Sequence, residues 1–241
     1  MEKDNLKELL LEFGDNVKFD YDLKKKNWFN IGGKSKIFFK AEYLKDLVNF
    51  LKKLKNKEKI FILGAGSNTL ISDGLINSVV IKLSKNFNNI SLHGEDMIIA
   101  GSAVLDKFLS DFAMKNNISG LEFLSCIPGT VGGGIKMNAG CFGKEFKDIL
   151  CSVQAIDKLG NVRTIPSSNI KFEYRKNDLP EDLIFLSASF KGTKSDSNKI
   201  QSEINRLKKE KDKNQPSKIM TSGSTFKNPI LQTKKKVWEL I

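Results

Sequence analysis

Two glycine-rich segments, at 64–68 and 127–133, have the residue types in this sequence that best suit ligand chemistry. A backbone without side chains can approach a diphosphate or a flat ring closely, and its N–H groups can point at phosphate oxygens. Together the segments predict a site for a phosphorylated, planar cofactor. The candidate ligands are Gly64, Ala65, Gly66, Ser67 and Asn68 in the first glycine segment and Ile127, Pro128, Gly129, Thr130, Gly132 and Gly133 in the second glycine segment.

Each glycine segment alone has a simpler interpretation. The first follows an apolar run at 59–63 and resembles a dinucleotide-binding fingerprint, but Thr69 replaces the third glycine and no helical pattern follows. A tight turn after a core strand is an equal alternative there. For the second, the alternative is a bulged turn between strands. Glycine at this density costs backbone entropy on folding, which favours a ligand contact, with the Thr130 hydroxyl as a further donor.

Two further segments, at 172–175 and 222–229, contain polar side chains that could take part in catalysis. The planar guanidinium of Arg175 can hold a carboxylate through two hydrogen bonds, although a surface charge or an ion-pair partner is the commoner role of an arginine. Ser224 lies in a Ser/Gly turn and could act as a positioned proton donor without histidine. From the local sequence alone, an ordinary turn before Pro229 is favoured.

The pattern of apolar residues predicts the elements that must position these segments. The predicted helices cover 5–13, 42–54, 105–115 and 199–212, and a last helix starts at 235; the predicted strands cover 36–40, 59–63, 79–83, 97–100, 153–157, 162–165 and 184–191. A glycine-dense loop fills 125–143, and 159–161 closes a hairpin. Strands and helices mix without regular βαβ alternation, which favours an α+β fold over a doubly wound sheet.

Charge and composition argue against several classes of function. The net charge of +12 comes from short lysine clusters that alternate with apolar residues, typical of solvated helix faces, so no nucleic-acid partner is expected. His93 is the only histidine, predicted to lie in a surface turn, so neither a metal site nor histidine-based catalysis is expected. The odd number of cysteines fits a reducing compartment. Without an apolar run of membrane-spanning length or a signal peptide, a cytoplasmic protein with no membrane partner is expected.

Taken together and in this order, the segments resemble the UDP-N-acetylenolpyruvoylglucosamine reductase family, the flavoenzymes that make UDP-N-acetylmuramate for peptidoglycan. The resemblance covers nearly the whole chain after residue 20. Its matching segments are Trp28–Gly33, Leu63–Asn68 with Asp73-Gly74, Gly120–Phe123, Ile127–Gly133, Met137–Gly140, Tyr174-Arg175 and Gly223–Pro229.

The resemblance implies an α+β architecture of three parts. An N-terminal helix and lead-in cover 1–22, and a two-subdomain FAD-binding domain of the vanillyl-alcohol-oxidase (PCMH) type covers 23–192. The start of an α+β substrate domain covers 199–241. It also implies FAD as cofactor, with NADPH and UDP-N-acetylglucosamine enolpyruvate reacting in turn, and we expect a monomer. Hydride then passes from the flavin to the terminal methylene carbon of the enol ether.

The resemblance also implies roles for individual residues. Arg175 matches the arginine that stabilises the enolate-like species, and Ser224 matches the serine that protonates the carbon next to the carboxylate. The implied substrate-binding residues are Tyr174, Asn138, Lys227 and Asn228. The sequence stops at Ile241, before the family's C-terminal glutamate that assists this arginine, so a truncated substrate domain is expected.

Several positions depart from the family pattern, and two alternatives to the reductase remain. Asn27 replaces a usual threonine, Asn177 replaces a frequent serine, and Ser125-Cys126 stand where small residues including glycine are common. Cys126 and Cys141 are predicted to be small buried residues rather than reactive thiols. The alternatives are another FAD-dependent oxidase or dehydrogenase of the same fold, and a catalytically impaired protein that only binds FAD.

Overall fold

A computed structural model of the chain describes residues 3–54 and 58–214, together with residues 233, 237 and 240. The helices are α1 (Lys3–Phe13), α2 (Leu44–Leu54), α3 (Asp106–Lys115), α4 (Val131–Lys136) and α5 (Ser197–Asn214). Within the described residues, none of these helices is long and apolar enough to cross a membrane. Most of the predicted helix from 235 lies outside the described residues.

Strands make up two main sheets and three short pairs. The strands are β1 (Val17–Asp22), β2 (Lys34–Ala41), β3 (Ile60–Ile62), β4 (Leu75–Leu83), β5 (Ile90–His93), β6 (Met97–Gly101), β7 (Ile118–Ser119), β8 (Gly140–Cys141), β9 (Lys144–Glu145), β10 (Leu150–Ile156), β11 (Val162–Pro166), β12 (Phe172–Glu173), β13 (Lys176–Asn177), β14 (Ile184–Lys191) and β15 (Thr193–Lys194). All the strands predicted from the sequence are confirmed, with small differences at their ends. The α+β fold is also confirmed.

The first sheet has the strand order β1-β2-β4-β3. Helix α2 crosses from β2 to β3, so β2, β3 and β4 run parallel, whereas β1 is antiparallel to β2. The carboxyl ends of the three parallel strands therefore share one edge of the sheet. Loops that follow strand ends at such an edge commonly form ligand sites, and the first glycine segment follows β3.

Helix α2 forms because its apolar residues recur at helical spacing, and it packs against β2 through Phe50. The rings of Phe39 and Phe50 stack with their centroids 3.9 Å apart. Complete burial of a side chain of this size contributes about 1.5–3 kcal/mol. The helix predicted at 42–54 is confirmed with a later start: it begins at Leu44, whose side chain is 40% exposed, and Phe50 is buried.

The second sheet is antiparallel, with the order β11-β10-β14-β6-β5. The predicted hairpin is confirmed: β10 and β11 pair from Ser152↔Pro166 to Ile156↔Val162, and the Asp157 carboxylate accepts from the Leu159 and Asn161 N–H groups. One face of the sheet packs on α3 and α4, and side chains at its other face join the core around α2. His93 ends β5 and is exposed before the turn at 94.

The prediction of a loop throughout 125–143 was wrong, because the structure forms α4 inside it. The glycines allow this helix to pack closely. A Cβ at Gly134 would lie 2.3 Å from the Phe146 ring, and one at Gly132 would lie 3.0 Å from Ser102. Each glycine costs about 1 kcal/mol of helix propensity relative to alanine. The close contact with the buried Phe146 ring offsets this cost, and the sequence pattern did not reveal that contact.

Helix α5 is charged on most of its surface but has one apolar stripe, at helical spacing. Ile200, Ile204 and Leu207 are buried, and Leu207 belongs to the core beneath the second sheet. The Lys211 ammonium also donates to the Cys126 carbonyl, at 2.8 Å. The helix is thus fastened beside the second glycine segment. The boundaries predicted for the three domains stay predictions.

Candidate functional site

The two glycine segments lie against each other. A Cβ placed on Gly64 would come 2.6 Å from the Thr130 hydroxyl oxygen, so glycine is needed for this close approach. A third stretch, 25–30, joins them: the Trp28 N–H donates to the Gly66 carbonyl at 2.9 Å. A Cβ on Gly66 would lie 2.4 Å from the Lys26 carbonyl oxygen. Three loops from distant parts of the sequence therefore meet at one place.

The first glycine segment keeps its backbone donors available. Within the described residues, the N–H groups of residues 64–68 donate to no protein acceptor. Gly66 has a φ of +73°, in the left-handed region that glycine adopts most readily. Unused N–H groups in a turn of this kind form a concave surface that binds anions.

The second glycine segment is more firmly anchored. Its N–H groups at Val131 and Gly132 donate to the Val104 and Ser102 carbonyls at 2.9 and 3.0 Å. Its Gly129 carbonyl accepts from the Asp106 N–H at 3.1 Å. Thr130 and Val131 are buried, whereas Pro128 and Gly133 are exposed. The segment therefore presents a fixed surface, of which only part reaches solvent.

A group of buried polar side chains lies beneath the second glycine segment, and the sequence patterns did not predict it. Asp106 is fully buried, and burial raises the pKa of its carboxyl group well above the usual range. Within the described residues neither of its carboxyl oxygens has a hydrogen-bond partner, nor do the Ser102 and Ser110 hydroxyls. A Cβ on Gly129 would lie 2.7 Å from an Asp106 oxygen. The feature of the sequence that could have revealed this group is the spacing of Asp106 and Ser110, which places both on one face of a helix.

Arg175 is held in place by the loop that continues from the second glycine segment. Its guanidinium donates to the Gly140 carbonyl at 2.8 Å and to the Asn138 carbonyl at 3.3 Å. It also lies over the Tyr174 ring, 5.1 Å from the centroid. The residue sits at the turn between β12 and β13 with a φ of +57°, an uncommon conformation for a residue with a side chain. The structure therefore brings Arg175, Tyr174 and Asn138 together, and their roles in catalysis and substrate binding stay predictions.

The Asn138 side chain is fully buried, and it makes its hydrogen bonds within the protein. Its amide group donates to a Glu145 carboxylate oxygen at 2.9 Å and to the Glu173 carbonyl at 3.1 Å. Its oxygen accepts from the Lys147 N–H at 3.1 Å. These bonds shape the loop that holds Arg175. A direct contact of Asn138 with substrate stays a prediction.

Two of the asparagines that depart from the family pattern close loops at the site. The Asn27 amide group donates to the Leu23 and Ile31 carbonyls at 3.1 and 2.7 Å, which ties together the loop at 23–31. The Asn177 amide group donates to the Ile135 and Lys136 carbonyls at 3.0 and 2.9 Å, at the end of α4. An amide can satisfy two carbonyls where a single hydroxyl proton can satisfy one.

Cys126 and Cys141 interact directly beside the site. Cys126 is buried and Cys141 partly buried, as predicted for small interior residues. The Cys141 thiol lies 3.3 Å from the Phe123 carbonyl, to which it donates. The neighbouring Cys141 thiol lowers the pKa of the Cys126 thiol to about 6, and the same interaction raises the pKa of Cys141. The burial of both thiols restricts access by reagents.

A cleft of about 500 Å³ opens between the loop at 25–30 and the first glycine segment. Lys25, Lys26, Asn27, Trp28, Asn30, Ala65 and Lys82 line it. The Lys82 ammonium donates to the Gly64 carbonyl at 2.5 Å, although the sequence patterns did not predict a role for this lysine. The feature of the sequence that could have indicated this role is the position of a lysine at the end of the apolar strand β4. The volume is in the range typical of small-molecule sites.

The residues present fit FAD. The close approaches at Gly64 and Gly66 require glycine at these two positions of the first glycine segment. Its unused N–H groups suit phosphate oxygens, and the lysines supply positive charge. Three of the predicted residues, Ser224, Lys227 and Asn228, lie outside the described residues.

The comparisons with known proteins agree with this fit. A family model described as an FAD binding domain matches residues 35–166. The UDP-N-acetylenolpyruvoylglucosamine reductase of Pelagibacter ubique is 67% identical over 230 residues, which are 95% of this chain and 76% of that protein. The enzyme of the same name from Rickettsia typhi is 48% identical over 224 residues, 93% of this chain and 75% of that protein.

Solved structures give the same result. The crystal structure of UDP-N-acetylenolpyruvylglucosamine reductase from Thermus caldophilus superposes with a TM-score of 0.77 at 28% identity, covering 90% of this chain and 76% of that one. p-Cresol methylhydroxylase superposes with a TM-score of 0.54 at 15% identity, covering 81% of this chain and 44% of that one. The second likeness shows the fold alone, which is the FAD-binding fold predicted from the sequence.

Proposed function

We propose a specific reaction for this chain, which belongs to the UDP-N-acetylenolpyruvoylglucosamine reductase family and is an FAD-dependent oxidoreductase. The reaction is the reduction of UDP-N-acetylglucosamine enolpyruvate to UDP-N-acetylmuramate with NADPH as the reductant. It belongs to peptidoglycan precursor synthesis. The protein acts as a cytoplasmic monomer, without a nucleic-acid or membrane partner.

The observation that carries the proposal is the position of Arg175. Its guanidinium is fastened by two hydrogen bonds to the loop that follows α4, and α4 begins within the second glycine segment. A fixed cation beside a flavin site suits a substrate with a carboxylate. When bound, FAD supplies the hydride chemistry, taking a hydride from NADPH and giving it to the methylene carbon of the enolpyruvyl group.

The two glycine segments divide the binding of the cofactor. Residues 64–68 donate backbone N–H groups to the diphosphate, since these groups have no protein acceptor among the described residues. Residues 127–133 lie against the ring system, with Thr130 where the two segments touch. The anchoring of the second segment to Ser102 and Val104 keeps this surface fixed when the cofactor binds.

Arg175 stabilises the negative charge that builds on the substrate during hydride transfer. Two of the five guanidinium donors are used by the Asn138 and Gly140 carbonyls, and the others are available to a carboxylate. Because these contacts hold the group in place before the reaction, little reorganisation is needed as the charge develops. Tyr174 adds the aromatic surface on which the guanidinium lies.

Ser224 gives the proton that completes the reduction, and Lys227 and Asn228 contact the sugar nucleotide. These three assignments follow from the matched family segment Gly223–Pro229. Asn138 is a further candidate for contact with the substrate. Its internal hydrogen bonds also shape the loop that holds Arg175.

A product assay tests this proposal. The purified chain, supplied with FAD, NADPH and UDP-N-acetylglucosamine enolpyruvate, should consume NADPH and form UDP-N-acetylmuramate in equal amounts, as read by mass spectrometry. Omission of the enolpyruvyl substrate under anaerobic conditions should limit NADPH consumption to about one equivalent of the bound FAD. NADPH consumption that yields a different reduced product would contradict the proposed substrate.

A further inference from the structure

We propose that Lys82 binds the diphosphate of the cofactor and fixes the first glycine segment in the shape that receives it. The identity of the cofactor rests on the proposed function. The anion site itself rests on the contacts of Lys82, the charge of its surroundings and the unused donors nearby.

The fold places Lys82 at the edge of the sheet where ligands bind. Val80, two residues earlier on β4, is buried in a small core with Leu63 and Ile71, on the sheet face away from α2. Successive side chains of a strand alternate between faces, so Lys82 follows Val80 on that same face. It lies near the carboxyl end of β4, where this core ends and the first glycine segment begins.

The contact of Lys82 with the glycine segment is direct. Its ammonium donates to the carbonyl of Gly64, the first residue of the segment, at 2.5 Å. An ammonium has three donors, so this bond leaves two for other acceptors. Lys82 thus holds the segment at its base, and it lines the same cleft as Ala65.

The positive charge of this cleft has no counterpart in the described protein. Lys26 lines the same cleft, and no carboxylate among the described residues forms an ion pair with either lysine. Burial lowers the pKa of Lys82, and the nearby positive charge of Lys26 lowers it further. A bound anion between the two lysines would reverse both effects, because it favours the charged form.

The neighbouring groups select a phosphate-bearing ligand. The N–H groups of residues 64–68 have no protein acceptor among the described residues, and they lie next to the Lys82 contact. Backbone N–H groups combined with a lysine form the usual protein environment of a diphosphate. The partly exposed Trp28 lines the same cleft, which at about 500 Å³ has room for more than a single phosphate group.

The experiment compares three probes on the apoprotein: FAD, ADP and riboflavin. ADP has the diphosphate without the flavin, and riboflavin has the flavin without phosphate. The variants are Lys82→Met, Lys82→Arg and Lys26→Met, with Lys85→Met as the control for loss of one exposed positive charge near the end of β4. Binding is measured by flavin fluorescence for FAD and riboflavin and by calorimetry for ADP, and thermal melting checks that each variant folds.

We expect Lys82→Met to weaken the binding of FAD and ADP about 10- to 100-fold, because the variant loses a charged hydrogen bond to the diphosphate. Riboflavin affinity should change less than about twofold, and Lys82→Arg should retain most of the FAD affinity. Lys26→Met should have a smaller effect of the same kind, and Lys85→Met none. Equal weakening of FAD and riboflavin would assign Lys82 to loop structure only and overturn the diphosphate contact, as would no weakening at all.

The outcomes separate this inference from the proposed function. If the wild-type chain binds FAD and Lys82→Met binds it as tightly, the inference fails and the proposed cofactor stands. If the wild-type chain binds no FAD but binds ADP in a manner that depends on Lys82, the proposed function fails and the anion site stands.

Discussion

The two glycine segments have similar compositions but use glycine for different physical purposes. The first leaves its N–H groups without protein acceptors and relies on the close approaches at Gly64 and Gly66. The second includes the start of α4, and its Val131 and Gly132 N–H groups donate to carbonyl groups of a neighbouring loop. In the helix that follows, Gly134 accommodates the Phe146 ring.

This difference shows that glycine density alone does not identify a ligand contact. In the first region, the backbone N–H groups of the glycine segment have no protein acceptor among the described residues and are available to a ligand. In the second, part of the glycine content permits close helix packing, and the loop that follows the helix holds Arg175, the proposed catalytic residue. Changes in the first region should therefore affect cofactor affinity, whereas changes in the second should affect stability or turnover.

The largest effect is expected at Arg175, in the second region. Arg175→Met should lower kcat/KM for the enolpyruvyl substrate about 10²- to 10³-fold, because it removes a positioned positive charge where negative charge develops. FAD affinity should stay within about twofold of wild type. Stopped-flow measurement of the two half-reactions checks this: reduction by NADPH should be retained, and Arg175→Lys should be intermediate. Loss of FAD binding in this variant would break the separation between the two regions.

The next effect is on stability. Gly134→Ala should lower the free energy of unfolding by about 2–3 kcal/mol, because the added Cβ would lie 2.3 Å from the buried Phe146 ring. Urea denaturation measures it, and Gly143→Ala is the control, since a Cβ there meets nothing within 4 Å. The strained φ of Gly143 alone should cost about 1 kcal/mol. An equal loss in both variants would show that packing against Phe146 is not the reason for the glycine.

In the first region, Gly66→Ala should weaken FAD binding by about tenfold. The new Cβ would lie 2.4 Å from the Lys26 carbonyl oxygen, and a φ of +73° strains any residue with a side chain, so the turn must shift. Fluorescence titration with FAD gives the affinity, while urea denaturation of the apoprotein gives the change in stability. If the variant unfolds more easily but binds FAD as tightly as wild type, then Gly66, like Gly134, is needed for packing and not for cofactor binding.

The smallest effect concerns Asp106, beneath the second region. Its raised pKa means that the folded state keeps a proton that the unfolded state loses. The protein therefore loses stability as pH rises above the ordinary aspartate pKa of about 3.9. Asp106→Asn, which cannot ionise, should be more stable than wild type at pH 7, with the difference shrinking towards pH 4. A difference that grows towards low pH would mean that Asp106 is charged and paired in the folded protein.

The sequence predicted much of the fold because apolar periodicity records which face of an element is buried. The strand at 184–191 and the hairpin at 159–161 are examples, and both are found where expected. The helix at 131–136 was missed because glycine has poor helix propensity and its packing partner, Phe146, is a tertiary contact. Strand β1 was missed as well, although its apolar residues alternate with charged ones, which is the pattern of a half-buried strand.

For the site, the sequence predicted the two glycine segments and the neighbourhood of Arg175, Tyr174 and Asn138. It gave no role to Lys82 or Asp106, because their local patterns, a lysine at the end of an apolar strand and an aspartate on a helix face, do not indicate which residues they contact. Their importance comes from distant residues: Gly64 accepts from Lys82, and Gly129 lies against Asp106. Contacts of this kind depend on how the strands and loops are assembled, which periodicity does not encode.

The most direct test of the central claim is the visible absorption spectrum of the purified chain under anaerobic conditions. We expect flavin bands that bleach when NADPH is added and return when UDP-N-acetylglucosamine enolpyruvate follows. A colourless protein that takes up no added FAD would contradict the cofactor assignment. Bands that bleach but do not return with this substrate would contradict the proposed reaction.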